Sequence, residues 1–283
     1  MATTGAPMNR LGDVVEQLRR DGVRPVVPFV TAGFPDPDTC RGALRGAKDA
    51  GCRLVEIGVP FSDPVADGPV IQAASQRALA QGMTLAGSLE LAAWAQRELD
   101  LAVVLMGYLN PVLRMGAPAF TRAAVTAGVA GVIVPDLPLE ESTLLGTALA
   151  DAGIDLVPLV APTTDADRLR RQAERASGFL YLVSTTGVTG TGAGAGDDLE
   201  EYVARVRAAC ALPLYVGFGV GTAAQAARVA ACADGAIVGS ALLQRLASTS
   251  EAEAARATAA GFIGELDRVM NTTAADRAKG EHP

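Results

Sequence analysis

Two hydrophobic rhythms alternate along the chain. Short unbroken apolar runs give way to stretches in which apolar residues return every three or four positions, and then the runs resume. The first helical stretch, 9–21, puts Leu11, Val14, Val15 and Leu18 on one face and stops at Gly22. Strand-like runs follow at 26–31, 52–59, 102–108, 131–135, 155–160, 179–184, 212–217 and 235–239. Between them the helical period predicts helices from the turn at 32–37 through Asp49, then at 69–81, 84–99, 118–127, 139–152, 165–177, 198–209, 222–233 and near 250–270. Strands that are apolar on both faces and always separated by a helix belong in a parallel sheet with helices packed over it. Eight such units favour an α/β fold of one domain, a closed (β/α)8 TIM barrel, over an open doubly wound sheet. The helix at 9–21 is then an extra N-terminal element, and the loop after the second strand is extended. No linker interrupts the series, so residues 1–283 read as one barrel domain, its core at about 9–270 and its last residues, 271–283, a polar tail expected to fray.

Composition narrows the function. With 49% hydrophobic and 19% charged residues the chain is not a disordered one, and no apolar run is long enough to span a bilayer. The first residues lack the basic-then-apolar order of a signal peptide, so a soluble cytoplasmic protein is expected. A net charge of −7 leaves no footprint of a general nucleic-acid binder. Cys40, Cys52, Cys210 and Cys232 are scattered and read as reduced cysteines. The one histidine, His282, lies in the polar tail, and the two lysines are Lys48 and Lys279. A histidine-based triad, a histidine-ligated metal and a strand-borne Schiff-base lysine are therefore disfavoured, and acid–base chemistry falls to carboxylates.

One stretch concentrates them. Glu56 lies inside the apolar run 52–59, sharing a strand face with Leu54 and Gly58 while Val55, Ile57 and Val59 face the other way. Pro60 ends the strand, and Asp63 and Asp67 follow in a loop shaped by Pro64, Gly68 and Pro69. A carboxyl group walled by apolar side chains holds its proton to higher pH, which suits it to give a proton and take one back. Glu56 and Asp67 are thus the candidate catalytic pair. The alternatives are a Glu56 paired with a buried Arg or with the hydroxyl of Thr31 or Tyr181, and an Asp67 that caps the helix starting at Pro69. Gly217-Phe218-Gly219 after the seventh strand and Gly239-Ser240 after the eighth would let backbone N–H groups approach an anion where barrels often hold phosphate. Tight turns alone would use the same glycines. The run 187–196, with five glycines in ten residues, reads as a loop that closes over a site, bringing Thr189 to Asp67. Phe29, Tyr108, Tyr181 and Phe218 stand on or beside strand ends in a chain only 4% aromatic. They are candidates to line a pocket for a flat apolar substrate, core packing being the default for such residues.

The order Glu56-Ile-Gly-Val-Pro60-Phe-Ser-Asp63-Pro-Val-Ala-Asp67-Gly-Pro69 closely resembles the signature of the tryptophan synthase α subunits. The resemblance extends through 28–33, 105–111, 136–141, 187–190, 217–219 and 239–240, over roughly residues 9–265. It implies a (β/α)8 barrel that cleaves indole-3-glycerol phosphate to indole and glyceraldehyde 3-phosphate by a retro-aldol reaction in tryptophan biosynthesis. The indole ring then serves as electron sink, which agrees with the missing lysine and metal ligands. By the same resemblance Glu56 protonates the indole carbon and assists at the glycerol hydroxyl, and Asp67 stabilises and deprotonates the indole nitrogen. Thr189 tethers the closed loop to Asp67; Gly190, Gly219, Gly239 and Ser240 hold the phosphate; Phe29, Tyr181 and Phe218 wall the indole. The family pattern further implies no cofactor on this chain and a partner, a pyridoxal-phosphate (PLP) β subunit that receives the indole within an α2β2 tetramer. Contact is expected through the loop at 60–63, with Asp63 its charged member. Some family members carry Arg before Gly187, where this sequence has Thr185 and Thr186, which bears on how the loop couples to the β subunit. Two other readings stand beside the lyase: another phosphate-binding barrel, such as a prenyl transferase or isomerase, and a barrel kept only as an allosteric partner.

Overall fold

In a computed structural model of the chain, residues 10–183, 197–217 and 219–280 are described. The strands are β1 (Val26–Thr31), β2 (Leu54–Gly58), β3 (Ala102–Met106), β4 (Val129–Ile133), β5 (Asp155–Leu156), β6 (Leu159–Val160), β7 (Leu180–Val183), β8 (Leu214–Gly217) and β9 (Gly235–Val238). All pair in parallel, in the order β5-β4-β3-β2-β1-β9-β8-β7-β6. The two ends of that order are consecutive in the chain, with only Val157 and Pro158 between them. The sheet therefore curls until it closes on itself. The expected fifth strand, 155–160, is split because Pro158 has no N–H for the ladder. Its two neighbours still bond across the break: Val157 donates to Val132 O at 2.9 Å, and Tyr181 donates to Pro158 O at 3.2 Å.

The helices are α1 (Leu11–Arg20), α2 (Pro37–Asp49), α3 (Pro69–Ala80), α4 (Leu85–Leu99), α5 (Leu109–Met115), α6 (Ala117–Thr126), α7 (Thr143–Asp151), α8 (Ala166–Arg175), α9 (Asp197–Ala209), α10 (Ala223–Cys232), α11 (Ser240–Leu246) and α12 (Ala252–Gly280). Helix α5 lies where no element was expected; Pro111 sits in its first turn, where its missing N–H would have had no partner anyway. The stretch expected as one helix over 139–152 is a 3-10 turn at Leu139–Glu141 followed by α7. Helix α12 runs to Gly280, past the boundary at 270, so the tail expected to fray from 271 is helical over most of its length. Asn271 holds it there, accepting from the Arg24 N–H at 3.0 Å.

Helix α1 closes the N-terminal end of the barrel. Leu11 packs where Gly131 and Gly178 lack a side chain, and the Gly12 N–H donates to Asp155 Oδ2 at 3.0 Å. Ser177 Oγ donates to the other oxygen of Asp155 at 2.6 Å, so that interior carboxylate is held in place. On the outside, Gly42 and Gly46 of α2 let the backbone of α12 come close, and Arg256 pairs with Asp49. With α1 filling one end, the site falls to the other, where strands run into their longest loops.

Candidate active site

In-register pairing sets Phe29, Glu56 and Val104 side by side on β1, β2 and β3. These side chains face the barrel interior, and Phe29 fits there because Gly58 and Gly239 have no Cβ to meet its ring. Glu56 is 1% exposed, and its Oε1 has no hydrogen-bond partner; the hydroxyl of Thr31 at the end of β1 is likewise buried and unpaired. The alternative of a Glu56 satisfied by that hydroxyl is not what the barrel contains. Burial holds the Glu56 proton, and the charge of Asp67 adds to the effect, so its pKa rises to about 8.

Asp67 arrives from the extended loop between β2 and α3. Gly68 occupies the N-cap position of α3 with Pro69 just inside, and no side chain caps the helix, so Asp67 is free of that duty. Its backbone is anchored instead, its carbonyl accepting from Gln72 Nε2 at 2.8 Å. The carboxyl is half-buried; burial raises its pKa to about 6, against the opposing pull of the nearby Tyr108 hydroxyl. Tyr108 is buried beyond the end of β3. Its oxygen accepts from the Ala66 N–H at 3.0 Å, and its ring stacks on Phe61 with centroids 5.1 Å apart. Phe29, Thr31, Gly58, Asp67, Met106 and Tyr108 border one small cavity. Across the barrel, Tyr181 on β7 fills the space left by Gly217, and its phenol is held protonated by burial and by the charges of Glu56 and Asp67.

The glycines expected to receive an anion also converge. Strands β8 and β9 are neighbours, Gly219 has a φ of +80° that L side chains rarely adopt, and Gly221 packs against Ala241 in the first turn of α11. This brings the loop after β8 against the Gly239-Ser240 corner. Thr189, Gly190 and Phe218, with Thr185, Thr186 and the whole run 187–196, lie outside the described residues, as does His282. The sequence pattern overlooked what Tyr108 does: its place at the end of the strand next to β2 was the one signal. A larger cleft of about 740 Å³ lies between α7 and α8. Its carboxylates are engaged elsewhere, Asp136 with the Leu109 N–H and Asp155 with α1, and neither Glu56 nor Asp67 reaches it.

Chemically, the pair is split. Near neutral pH Glu56 carries a proton and Asp67 does not, so one end of a bound molecule meets a donor and the other an acceptor. Among the described residues no group of three or more His, Cys, Asp or Glu could hold a metal ion, and no helix is long and apolar enough to cross a membrane.

Known proteins with this pattern are numerous. The sequence model of the tryptophan synthase alpha chain family matches residues 15–271. The tryptophan synthase alpha chain of Acidiphilium cryptum (strain JF-5) is 46% identical over 273 residues, covering 96% of this chain and 99% of its own. That of Geobacter sp. (strain M21) is 45% identical over 259 residues, covering 92% of this chain and 97% of its own. Among solved structures, tryptophan synthase subunit alpha from Legionella pneumophila str. Paris superposes with a TM-score of 0.84 at 32% identity, covering 93% of this chain and 98% of that one. A chain of Mycobacterium tuberculosis tryptophan synthase does so with a TM-score of 0.82 at 37% identity, with the same coverage of 93% and 98%.

Proposed function

The chain belongs to the tryptophan synthase alpha chain family, and from that premise we propose that Glu56 and Asp67 are the acid–base pair of its lyase reaction. The reaction is the retro-aldol cleavage of indole-3-glycerol phosphate to indole and glyceraldehyde 3-phosphate. The observation that carries the assignment is a fully buried carboxylic acid on β2, its Oε1 without a hydrogen-bond partner, near a second carboxylate of lower proton affinity.

Glu56, protonated near neutral pH, gives its proton to C3 of the indole ring. Asp67, ionised, takes up the charge that develops at the indole N–H, borrowing that proton and returning it at the end. The glycerol hydroxyl on the carbon attached to C3 then yields its proton to the Glu56 carboxylate, and the bond between that carbon and C3 breaks. Its electron pair restores the aromatic ring, and the hydroxyl carbon leaves as the aldehyde. Glu56 ends as it began, protonated, so the cycle balances without a further acid or base. Phe29, Tyr181 and Phe218 wall the indole. Gly190, Gly219, Gly239 and Ser240 receive the phosphate through backbone N–H groups and a hydroxyl, and Thr189 meets Asp67 when the loop at 187–196 closes. The chain itself supplies all the groups this cleavage needs, so no cofactor is assigned to it.

In this reading the whole chain is one barrel domain working in the cytoplasm within an α2β2 tetramer, and the β subunit carries the PLP that consumes indole. The loop after β2 supports the partner assignment, because Val65 is 85% exposed at its tip, and Asp63 is exposed beside it. Indole release from indole-3-glycerol phosphate, followed with and without a tryptophan synthase β subunit, tests both parts. Slow release that the β subunit accelerates and Glu56→Gln abolishes is the expected result. Release that survives Glu56→Gln would remove Glu56 from the mechanism.

A further inference from the structure

We infer that Tyr108 is a positioning residue for the reaction, holding the loop after β2 at two points so that the Asp67 carboxylate faces the substrate. The inference rests on the role proposed for Asp67. The loop enters from β2 and leaves into α3 without a strand or helix of its own, so nothing regular in the backbone fixes it between Pro60 and Gly68. Tyr108 supplies what is missing. Its ring stacks on Phe61 at the loop's start, and its oxygen accepts from the N–H of Ala66, the residue just before Asp67, at 3.0 Å. Tyr108 and Asp67 also border the same small cavity.

The anchor is itself held. Tyr108 precedes the first residue of α5, whose Leu109 N–H donates to Asp136 Oδ1 at 2.9 Å, and the side chain is 4% exposed at the end of β3. It therefore transmits the position of a rigid strand to a carboxylate that has only a loop beneath it. The nearby Tyr108 hydroxyl also pulls the Asp67 pKa down against the effect of burial, which favours the ionised form.

Tyr108→Phe isolates the hydroxyl, since the ring and its stacking remain. Loss of the hydrogen bond that fixes the Ala66 backbone is expected to lower kcat for indole release about 2- to 10-fold, with KM changed much less. The acid limb of the pH profile should move to higher pH. A direct titration of the Asp67 carboxyl by carbon NMR should show the same upward move without reference to turnover. Combined with Asp67→Asn, Tyr108→Phe should cost nothing further. Wild-type kcat with an unmoved acid limb, a loss confined to KM, or losses that multiply in the double variant would each overturn the inference. Should Asp67→Asn alone leave kcat intact, the fault lies in the role of Asp67 and not in the Tyr108 contact, which the NMR titration still reads.

Discussion

Glu56 and Asp67 are the same functional group in two solvents, and their difference predicts the pH dependence of the enzyme. Indole release should follow a bell with limbs near 6 and 8. Below the lower limb Asp67 is protonated and cannot serve the indole nitrogen; above the upper one Glu56 has lost the proton it must give. A rate that stays flat across both limbs would refute the split. Stability carries the same imprint. Folded Glu56 keeps its proton to about 8 while a free glutamate titrates near 4.5, so folding is penalised as pH rises from 4.5 and the full penalty is present above 8. Glu56→Gln should unfold in urea at the wild-type concentration near pH 4 and at a higher one at pH 8; an equal gap at both values rules out the buried charge as the cause. Glu56 was legible as a candidate in the sequence, because an acid inside an apolar run must be paired, neutral or used, and Asp67 because it stands in the loop that leaves the same strand. Tyr108 was not legible in its role. A tyrosine at a strand end looks the same whether it packs or holds a loop, and the Ala66 N–H that it binds lies 42 positions away in the chain.

Glycine has opposite values in α2 and α12, and the difference is a matter of neighbours. A Cβ on Gly42 would meet the carbonyl group of Ala252, and one on Gly46 would meet Arg256 O and the Ala259 methyl, so these two glycines set how closely the helices approach. A Cβ on Gly261 or Gly264 would meet nothing within 4 Å. Replacing glycine by alanine in an open helix position gains about 0.5–1 kcal/mol of stability. Gly261→Ala and Gly264→Ala should therefore raise the urea midpoint, whereas Gly42→Ala should lower it by an amount equivalent to about 1–3 kcal/mol as the helices are forced apart. Midpoints that move the same way in all three variants would show that close packing does not govern this contact. At this scale the alternation of strand and helix was readable because each element carries its own period. Pro158 marked one limit of that reading, since it breaks an apolar run that still serves as one barrel stave, and the short helix α5 after β3 was not anticipated. The length of α12 was hidden for another reason, since its last turns are polar; Asn271, where they begin, bonds the chain before β1.

Closing the barrel sorts its two ends. The N-terminal end is filled by Leu11 and the hydrogen bonds of Asp155, and the C-terminal end is left to the loops, so the carboxylates, the glycine corners and the exposed Val65 all belong to one face. That face has an inner and an outer layer. Inside, Asp67 is half-buried, and the Ala66 N–H just before it is bonded to Tyr108; outside, two residues earlier on the same loop, Val65 is 85% exposed, and Leu113 on α5 is 53% exposed. An apolar side chain left this open on the loop that carries Asp67 fits a surface completed by another protein. A β subunit seated there would press on the loop and steady Asp67 through backbone that Tyr108 already holds, and acceleration by the partner needs no group of its own in the reaction. Val65→Asp is then expected to keep the basal rate of the isolated chain, because Val65 is exposed at the loop's tip, and to lose most of the acceleration on addition of the β subunit. Sedimentation of the mixture should show the complex weakened in parallel. Full acceleration by the β subunit with Val65→Asp would place the coupling elsewhere on the face, whereas a fall in the basal rate would mean that the loop tip shapes the site even without a partner.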